Sequence, residues 1–323
     1  MRGMADNIKA VVLAAGRSTR MKSDRSKVLH RILGKEIIRY LLDSLRECGI
    51  AEGDIVVVAG DNRDEIEKAI GGRVRYARQR EQLGTAHALL SAAELVAAHE
   101  GGLLVLVGDN PYITAGELRK LIDHQRRQRA SCTFISAVFP GTPPAYGRVV
   151  RDARGEVQYV VEEKDATPEQ RLIREVNASI YFFDNPAVFP LLAGIGNDNA
   201  KKEYYLTDIV AILRRKGLKV EAVQADDCDV AIGINDRRDL QAAQKKFNAR
   251  IQERLMLEGG VTILQAESVT IEHDVEIGRD TVIYPCTYLG AGTRIGRNCV
   301  IGPFACLANA SVPDGETVRF TAR

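Results

Sequence analysis

The sequence predicts an α/β fold with a mostly parallel central sheet, followed by a helix and a short parallel β-helix. Three patterns support this prediction. The first two-thirds of the 323 residues alternate apolar runs with helical segments, the order typical of a parallel sheet covered by helices. One long amphipathic segment follows, and the last part repeats every six residues. We therefore divide the chain into an α/β domain at 1–236, a linker helix at 237–257 and a β-helix at 258–323.

The α/β domain is predicted from apolar runs that read as strands buried on both faces, with helical segments between or after them. From residue 149 onward the β segments become shorter, and a helix near 207–216 follows. We interpret this part as an insertion that packs over the site at the strand ends. The predicted strands are 8–13, 54–59, 103–107 and 132–139, and the predicted helices are 36–48, 63–70, 85–98 and 115–129.

The linker segment predicts a single helix between the two domains. Asp236 is suited to cap its first turn, and Gly259 is suited to end it. Apolar side chains recur along one stripe, as expected for a helix that packs on a neighbour. The stripe comprises Leu240, Ala243, Phe247, Ile251 and Leu255.

The six-residue repeat predicts a prism-shaped β-helix. In such repeats the large apolar side chain points into the prism and a small residue two positions earlier lies at a corner. Seven or eight hexads predict fewer than three coils, and an irregular β-meander is the alternative. The apolar series is Ile271, Ile277, Ile283, Leu289, Ile295, Ile301 and Leu307, and the small series is Val269, Val275, Thr281, Thr287, Thr293, Cys299 and Ala305.

Composition and charge argue against several classes of protein. A formal net charge of +2 does not favour a nucleic-acid-binding domain, which is usually strongly basic. The six cysteines include no CxxC pair, which indicates reduced, buried thiols. No apolar run approaches the ~20 residues of a membrane-spanning helix, and the N-terminus lacks a signal-peptide pattern. These features predict a soluble protein of the cytoplasm.

The segment VVLAAGRSTRMKSDRSKVLH, residues 11–30, carries the first functional signal. The predicted strand 8–13 enters a loop of small residues that contains Gly16, Arg17, Arg20 and Lys27. Such a loop offers backbone N–H groups and several cations to one compact anion. The segment therefore predicts a site for a nucleoside triphosphate.

Nine segments together resemble the bacterial N-acetylglucosamine-1-phosphate uridylyltransferases. The resemblance implies a Rossmann-like nucleotidyltransferase domain with a left-handed parallel β-helix behind it. It also implies an Mg²⁺-dependent reaction, in which a sugar 1-phosphate attacks the α-phosphorus of UTP and pyrophosphate leaves. The segments, in the family's order, are LAAGRSTRM, SKVLH, EQLGTAHA, GDNP, YGRV, VEEKDATPEQR, EVNASI, KKEYYLTD and GIND.

The resemblance also implies roles for individual residues. Arg20 would bind the β- and γ-phosphates and Lys27 the α-phosphate, although either could be a solvated surface cation. Asp109 and Asn235 would be the Mg²⁺ ligands, since Mg²⁺ prefers a few protein oxygens beside phosphates and waters. Asp109 could instead be an ordinary turn residue. The implied nucleotide contacts are Leu13, Ala14, Ala15, Gly16, Gln79, Gln82, Gly84 and Thr85, and the implied sugar contacts are Gly147, Glu162, Asn177 and Thr207.

Two of these assignments have local alternatives. Gln79 is the preferred amide for the uracil edge, whereas Thr85 could equally cap a helix. The sugar-side residues could be a turn glycine and ordinary polar groups.

Three departures from the family's pattern affect the expected specificity. Ser18 stands where the family usually has a second glycine, and a positive φ there would cost about 1 kcal/mol of strain. Val107 replaces a common tyrosine, and Ala178-Ser179 replaces a common Thr-Gly pair. Because the last two lie on the sugar side, glucose 1-phosphate or another hexosamine 1-phosphate competes with N-acetylglucosamine 1-phosphate.

The repeat region leads to two further expectations. The family's longer β-helix carries an acetyl-CoA-dependent acetyltransferase site, so we expect no acetyltransferase activity from this shorter one. Because the family's β-helices associate as trimers, we expect a homotrimer. The competing hypotheses are a nucleotidyltransferase that uses another nucleotide, and a non-catalytic regulatory or assembly subunit.

Overall fold

A computed structural model describes residues 7–320, and these residues form two compact units. The first unit contains the described residues up to Leu29 together with Ile37–Ile234. The second contains His30–Glu36 and the described residues from Asn235 onward. The helix expected to link two domains thus groups with the β-helix. No helix among residues 7–320 combines the length and the apolarity needed to cross a bilayer.

The first unit is built on a nine-stranded mixed sheet with the order β11-β7-β10-β6-β1-β4-β5, and β8 joins β10 to β9 at one side. β1 pairs in parallel with β4 and β6, and only β10 and the β8–β9 pair run antiparallel to their neighbours. The strands are β1 Ile8–Leu13, β2 Arg31–Ile32, β3 Lys35–Glu36, β4 Ile55–Ala59, β5 Arg75–Arg78, β6 Gly102–Val107, β7 Cys132–Val138, β8 Arg148–Arg151, β9 Val157–Val161, β10 Glu175–Asp184 and β11 Val220–Gln224, of which β2 and β3 form a hairpin in the second unit.

Helices cover both faces of this sheet. Successive residues of β1 point to opposite sides, so that Ala10 and Val12 belong to one apolar core and Val11 to the other. Leu41 of α1 packs in the first core, and Leu89 of α3 packs in the second. The predicted α/β class is confirmed. The helices are α1 Ile37–Glu47, α2 Arg63–Ile70, α3 Thr85–Leu90, α4 Ala93–Val96, α5 Ala115–Gln128, α6 Pro168–Arg171, α7 Asn185–Leu192 and α8 Asp208–Arg215.

The predicted insertion after residue 149 is wrong in part. β8 and β9 branch from the main strand order of the sheet, whereas β10 enters its middle, between β6 and β7. The pairing of β10 with β7 shifts register between Asn177 and Tyr181, and Ser179 in this bulge has φ 57°. The positive φ explains why a glycine is common at this position.

The predicted helix at 85–98 is also interrupted. It ends after Leu90 because Ser91 donates its hydroxyl back to the His87 carbonyl at 2.9 Å, and Ala92 then closes a tighter turn on Leu89. The strand Arg75–Arg78 was not predicted, since its exposed arginines at the sheet edge interrupt any apolar run.

The long helix of the second unit, α9, spans Arg237–Leu257, as predicted. Asp236 caps it, because its carboxylate accepts hydrogen bonds from the N–H groups of Arg238 and Asp239. Two amides fasten α9 to the start of the β-helix. Asn248 and Gln252 each donate to the Val269 carbonyl, at 2.8 and 2.7 Å.

The β-helix has more coils than predicted. Its ten two-residue strands form three parallel sheets of four, three and three strands, which makes three turns and one further strand. The six-residue pattern did not predict the extra strands, because the spacing changes at both ends of the β-helix. The interior residues Ile263 and Ile271 are eight positions apart, and Leu307 and Val312 are five positions apart. The strands are β12 Thr262–Ile263, β13 Thr270–Ile271, β14 Glu276–Ile277, β15 Val282–Ile283, β16 Tyr288–Leu289, β17 Arg294–Ile295, β18 Val300–Ile301, β19 Cys306–Leu307, β20 Ser311–Val312 and β21 Thr317–Val318.

Gly278 lies where two neighbouring coils of the β-helix pack closely, so a substitution there tests this packing. A Cβ at this position would lie 2.7 Å from the carbonyl carbon of Gly296 and 2.8 Å from the nitrogen of Arg297. Because backbone atoms of a coil cannot retreat, Gly278→Ala should lower the free energy of unfolding by about 1–3 kcal/mol. Denaturant unfolding measures this loss. Gly141→Ala, where nothing lies within 4 Å of the new Cβ, is the control, and equal stability of both variants would contradict the close packing.

Candidate active site

A cavity of about 750 Å³ opens in the first unit at the carboxyl ends of β1 and β6. Parallel strands bring the loops that follow them to this one edge of the sheet. Ten of the predicted site residues line the cavity, and Arg17, Arg80 and Glu203 line it as well. The ten are Leu13, Ala14, Ala15, Gly16, Lys27, Gln79, Gln82, Gly84, Thr85 and Asp109.

The loop after β1, residues 14–27, is predicted to bind phosphate and is called the phosphate loop below. Its first residue still forms a sheet-like hydrogen bond with the neighbouring strand. The Ala14 N–H donates to the Val58 carbonyl at 2.8 Å, and the Gly108 N–H donates to the Leu13 carbonyl at 2.8 Å. Gly16, two residues after Ala14, is exposed and lines the cavity. The loop is therefore held at its base and open at its tip.

Lys27 and Asp109 form an ion pair inside the cavity. Their side chains are 18% and 16% exposed, so both are largely screened from water yet accessible to a ligand. Lys27 begins a short 3-10 turn, and Asp109 follows the carboxyl end of β6. The structure thus brings together the predicted phosphate cation and the predicted metal carboxylate.

The loop after β11 supports Asp109. The Ile234 N–H donates to the Asp109 carbonyl at 2.9 Å, and a Cβ on Gly233 would lie 3.3 Å from Asp109 Oδ1. Asn235, the predicted partner ligand, follows Ile234 directly in the chain but belongs to the second unit. Its pairing with Asp109 therefore stays a prediction.

Gln79 is buried at the wall of the cavity, 3% exposed. Its Nε2 donates to the Gly84 carbonyl at 3.2 Å and lies 3.1 Å from His87 Nδ1. Among residues 7–320 no side chain or backbone group donates to its Oε1. The amide is thus fixed in orientation, with a carbonyl oxygen available as an acceptor.

The segments EQLGTAHA and EYYLTD are joined by backbone hydrogen bonds. The Tyr204 N–H donates to the Leu83 carbonyl at 2.7 Å, and the Ala86 N–H donates to the Tyr204 carbonyl at 2.9 Å. Gly84 lies between them with φ 116°, and a Cβ there would lie 2.5 Å from the Tyr204 oxygen. Only glycine fits this conformation and this approach.

Thr85 has a different role from the helix cap considered above. The N-cap of α3 is Gly84, and Thr85 is the first residue of the helix. Its Oγ1 instead accepts a hydrogen bond from the Leu206 N–H at 2.9 Å. The helix-cap alternative for Thr85 is therefore wrong, and its hydroxyl adds a third link between the two segments.

The four predicted sugar contacts lie together in a second group, outside the lining of the 750 Å³ cavity. The Asn177 N–H donates to the Gly147 carbonyl at 2.9 Å, and Thr207 Oγ1 donates to Glu162 Oε1 at 3.1 Å. A Cβ on Gly147 would lie 3.4 Å from Glu162 Oε1. Gly147 therefore allows the two chain segments to approach closely, and its predicted contact with the sugar stays a prediction.

The electrostatics of this second group are unusual for surface carboxylates. Burial raises the pKa of Glu162, and the hydrogen bond from Thr207 and the charge of Lys201 oppose it only in part. Burial also raises the pKa of Asp208, and neighbouring Asp165 adds to the shift. Buried carboxylates with raised pKa values are typical of functional sites, because their ionised form lowers the stability of the fold.

Arg20 is not brought to the cavity. It is exposed on the short 3-10 helix Thr19–Met21 and does not line the cavity. Its predicted contact with the β- and γ-phosphates stays a prediction.

Asn62 is a residue of this site that the sequence analysis missed. Its Nδ2 donates to the Ala14 carbonyl at 3.1 Å and to Ser26 Oγ at 2.8 Å. A signal was present, because Asn62 ends a GDN tripeptide directly after β4, and Asp109 lies in a second GDN tripeptide directly after β6. Only the second was considered.

Known protein families match both parts of this chain. A family model described as a MobA-like NTP transferase domain matches residues 10–178, and six bacterial transferase hexapeptide repeats match residues 274–309. The "Bifunctional protein GlmU" of Pelotomaculum thermopropionicum is 47% identical over 313 residues, covering 97% of this chain and 68% of the relative. That of Brevibacillus brevis is 44% identical over 314 residues, covering 97% and 67%.

The chain belongs to the GlmU family. It spans about two-thirds of the length of these GlmU relatives, 67–68%. The match confirms the resemblance stated from the sequence, the Rossmann-like domain with a left-handed hexapeptide β-helix, and the assignment as a nucleotidyltransferase.

Glu162 should destabilise the protein in its ionised form. Since its folded-state pKa lies above the unfolded value, the cost of ionisation is absent below the unfolded pKa and develops as the pH rises through the folded pKa. Glu162→Gln should therefore raise Tm by about 2 °C at pH 8 and leave it unchanged near pH 4. Scanning calorimetry at both pH values tests this.

Glu163→Gln is the matched control, since that neighbouring carboxylate is half-buried and already forms an ion pair with Arg171. A gain in Tm that is the same at both pH values, or the same in both variants, would contradict the burial of Glu162.

Proposed function

We propose that this protein transfers UMP from UTP to N-acetylglucosamine 1-phosphate, with Mg²⁺, and releases pyrophosphate. The observation that carries the proposal is the pairing of Lys27 with Asp109 inside the cavity at the end of β1. A cation and a carboxylate at the edge of a phosphate loop suit a reaction whose main difficulty is the crowding of anions.

The reaction requires no general base. The sugar phosphate already carries negative charge near neutral pH, because a second phosphate pKa is about 6. One of its oxygens attacks the α-phosphorus, the bond to the β-phosphate bridging oxygen breaks, and that oxygen leaves with pyrophosphate. Lys27 would lower the repulsion between the two phosphates, and Arg20 would stabilise the departing pyrophosphate.

Recognition of uracil is supported by the fixed amide of Gln79. Because its Nε2 is engaged with Gly84, Gln79 offers Oε1 as an acceptor for the imide N–H of uracil. Cytosine has no proton on the corresponding ring nitrogen and would place two acceptors together. The orientation of Gln79 therefore favours UTP over CTP.

The chemistry of the donor set fits Mg²⁺. Asp109 presents a carboxylate to the cavity beside Gly233, which has no side chain to fill the space next to it. Asn235 would complete the protein ligands through its amide oxygen. When bound, Mg²⁺ would neutralise phosphate charge during the transfer.

The sugar is proposed to bind at the group formed by Gly147, Glu162, Asn177 and Thr207. The half-buried carboxylate of Glu162 can accept hydrogen bonds from the ring hydroxyls of a sugar, and the adjacent hydroxyl of Thr207 can accept or donate them. Glucose 1-phosphate or another hexosamine 1-phosphate is the second candidate acceptor. Val107, expected on the sugar side, lines the 750 Å³ cavity and not this group.

A panel assay tests the proposal against its alternatives. Pyrophosphate release is measured with Mg²⁺, each of the four nucleoside triphosphates and a set of sugar 1-phosphates. We expect turnover with UTP and N-acetylglucosamine 1-phosphate. Turnover only with CTP, or only with another sugar phosphate, would contradict the proposed specificity, and no turnover at all would favour the regulatory subunit.

Asp109→Ala should lower kcat at least a hundredfold in a protein that still folds, with a lower Tm because Lys27 loses its partner in a largely buried ion pair. Asp61→Ala is the matched control, because Asp61 occupies the same place in the GDN tripeptide after β4 and is exposed. The same turnover in both variants would refute the role of Asp109.

The proposed oligomer is a homotrimer. The sheet containing β15 and β18 turns the half-buried side chains of Val282 and Val300 outward, whereas the sheet containing β14 and β17 turns Glu276 and Arg294 outward. Sedimentation equilibrium should give three times the chain mass, and a monomer at micromolar concentration would contradict the proposal.

Absence of acetyltransferase activity stays a prediction. Incubation with acetyl-CoA and glucosamine 1-phosphate should give no acetylated product by mass spectrometry. A product would overturn the expectation without affecting uridylyl transfer.

A further inference from the structure

Ser18 occupies a strained position in the phosphate loop. Its φ is 58° and its ψ 25°, in the left-handed region that non-glycine residues rarely adopt. A glycine would take this conformation without strain. The side chain of Ser18 must therefore supply something that a glycine would not.

The hydroxyl of Ser18 connects two parts of the loop. It donates to the Gly16 carbonyl at 3.2 Å and accepts from the Lys27 N–H at 3.1 Å. Nine residues separate Ser18 from Lys27 in the chain, so this bond closes the loop on itself. The backbone of Lys27 is thereby fixed beside the residues that line the cavity.

Asn62 fixes the same segment from the other side. Its Nδ2 bridges Ser26 Oγ, one residue before Lys27, to the Ala14 carbonyl at the base of the loop. Its Oδ1 accepts from the Gly60 N–H at 3.0 Å, which anchors the side chain at the end of β4. Ser26 is itself buried, and its N–H donates to Glu65 Oε2 at 3.0 Å.

We propose that Ser18 and Asn62 are positioning residues, which hold the Lys27 backbone at the phosphate loop through two separate side-chain tethers. The inference rests on the proposed function, in which Lys27 binds the α-phosphate. A loop of some twelve residues would otherwise lose much conformational entropy when it closes on a triphosphate. The two tethers pre-order it, so that the ammonium group of Lys27 enters the reaction at a defined place.

The test measures kcat, KM for UTP and the Kd of UTP with Mg²⁺, by calorimetry without acceptor, in the full chain. We expect Ser18→Ala and Asn62→Ala each to lower kcat/KM about fivefold to tenfold. This is the size of the one bond that each loses to the segment of Lys27, from Ser18 Oγ to the Lys27 N–H and from Asn62 Nδ2 to Ser26 Oγ. Ser23→Ala is the matched control, since that hydroxyl lies in the same loop and accepts from the Arg25 N–H, away from Lys27. Its values should stay within twofold of the wild type.

A double-mutant cycle separates positioning from general support of the fold. If Ser18 acts through Lys27, then Ser18→Ala should weaken UTP binding in the wild type but by less than twofold in a Lys27→Ala background. An equal loss in both backgrounds, or wild-type binding and kcat in Ser18→Ala, would overturn the inference. Ser18→Gly, which removes both the hydroxyl and the backbone strain, gives the same comparison if Ser18→Ala fails to fold.

The outcomes distinguish the inference from the proposed function. Wild-type kcat and UTP affinity in Lys27→Ala would contradict the role of Lys27 itself. A large loss in Lys27→Ala, together with unaffected Ser18→Ala and Asn62→Ala, would contradict only the tethers.

Discussion

The candidate site depends on main-chain hydrogen bonds that extend the parallel sheet beyond the ends of its strands. Ala14 donates to Val58, Gly108 donates to Leu13, and Gln79 donates to Ala59, each at 2.8 Å. Because β1 lies between β4 and β6, these three bonds bring the loops after four neighbouring strands to one edge. Gln79 and the starts of the loops that carry Gly16 and Asp109 take their positions from this extension of the sheet.

A second constraint joins distant segments at the cavity wall. The loop before α3 and the segment before α8 are more than a hundred residues apart, yet three hydrogen bonds link them across Gly84. Thr207 follows Leu206 directly and donates to Glu162, so the four residues 204–207 connect the cavity wall to the second group of predicted site residues. A shift of Tyr204 or Leu206 would therefore move both the cavity wall at Gly84 and the hydrogen bond between Thr207 and Glu162.

Residues at strand ends could be predicted from the sequence, because an apolar run followed by a polar tripeptide places its side chain at a known edge. Asp109, which the resemblance implied, and Asn62, which the sequence analysis missed, both fit this rule. Contacts that depend on long-range pairing could not be predicted. The entry of β10 into the middle of the sheet, the Thr85 bond to Leu206 and the extra coils at unequal spacings have no periodic signal.

The two departures at serine show how a site can tolerate the loss of a common glycine. Ser18 and Ser179 both take a positive φ, at a cost of about 1 kcal/mol each. At Ser179 the backbone N–H bonds to Asn177 Oδ1, a contact that glycine would make equally well. At Ser18 the bonds to Gly16 and Lys27 come from the hydroxyl. Of the two serines, Ser18 is therefore the one whose side chain forms hydrogen bonds that offset the backbone strain. Strain persists where the surrounding structure over-determines it, and at Ser18 these two hydroxyl bonds hold the strained backbone of the phosphate loop in place.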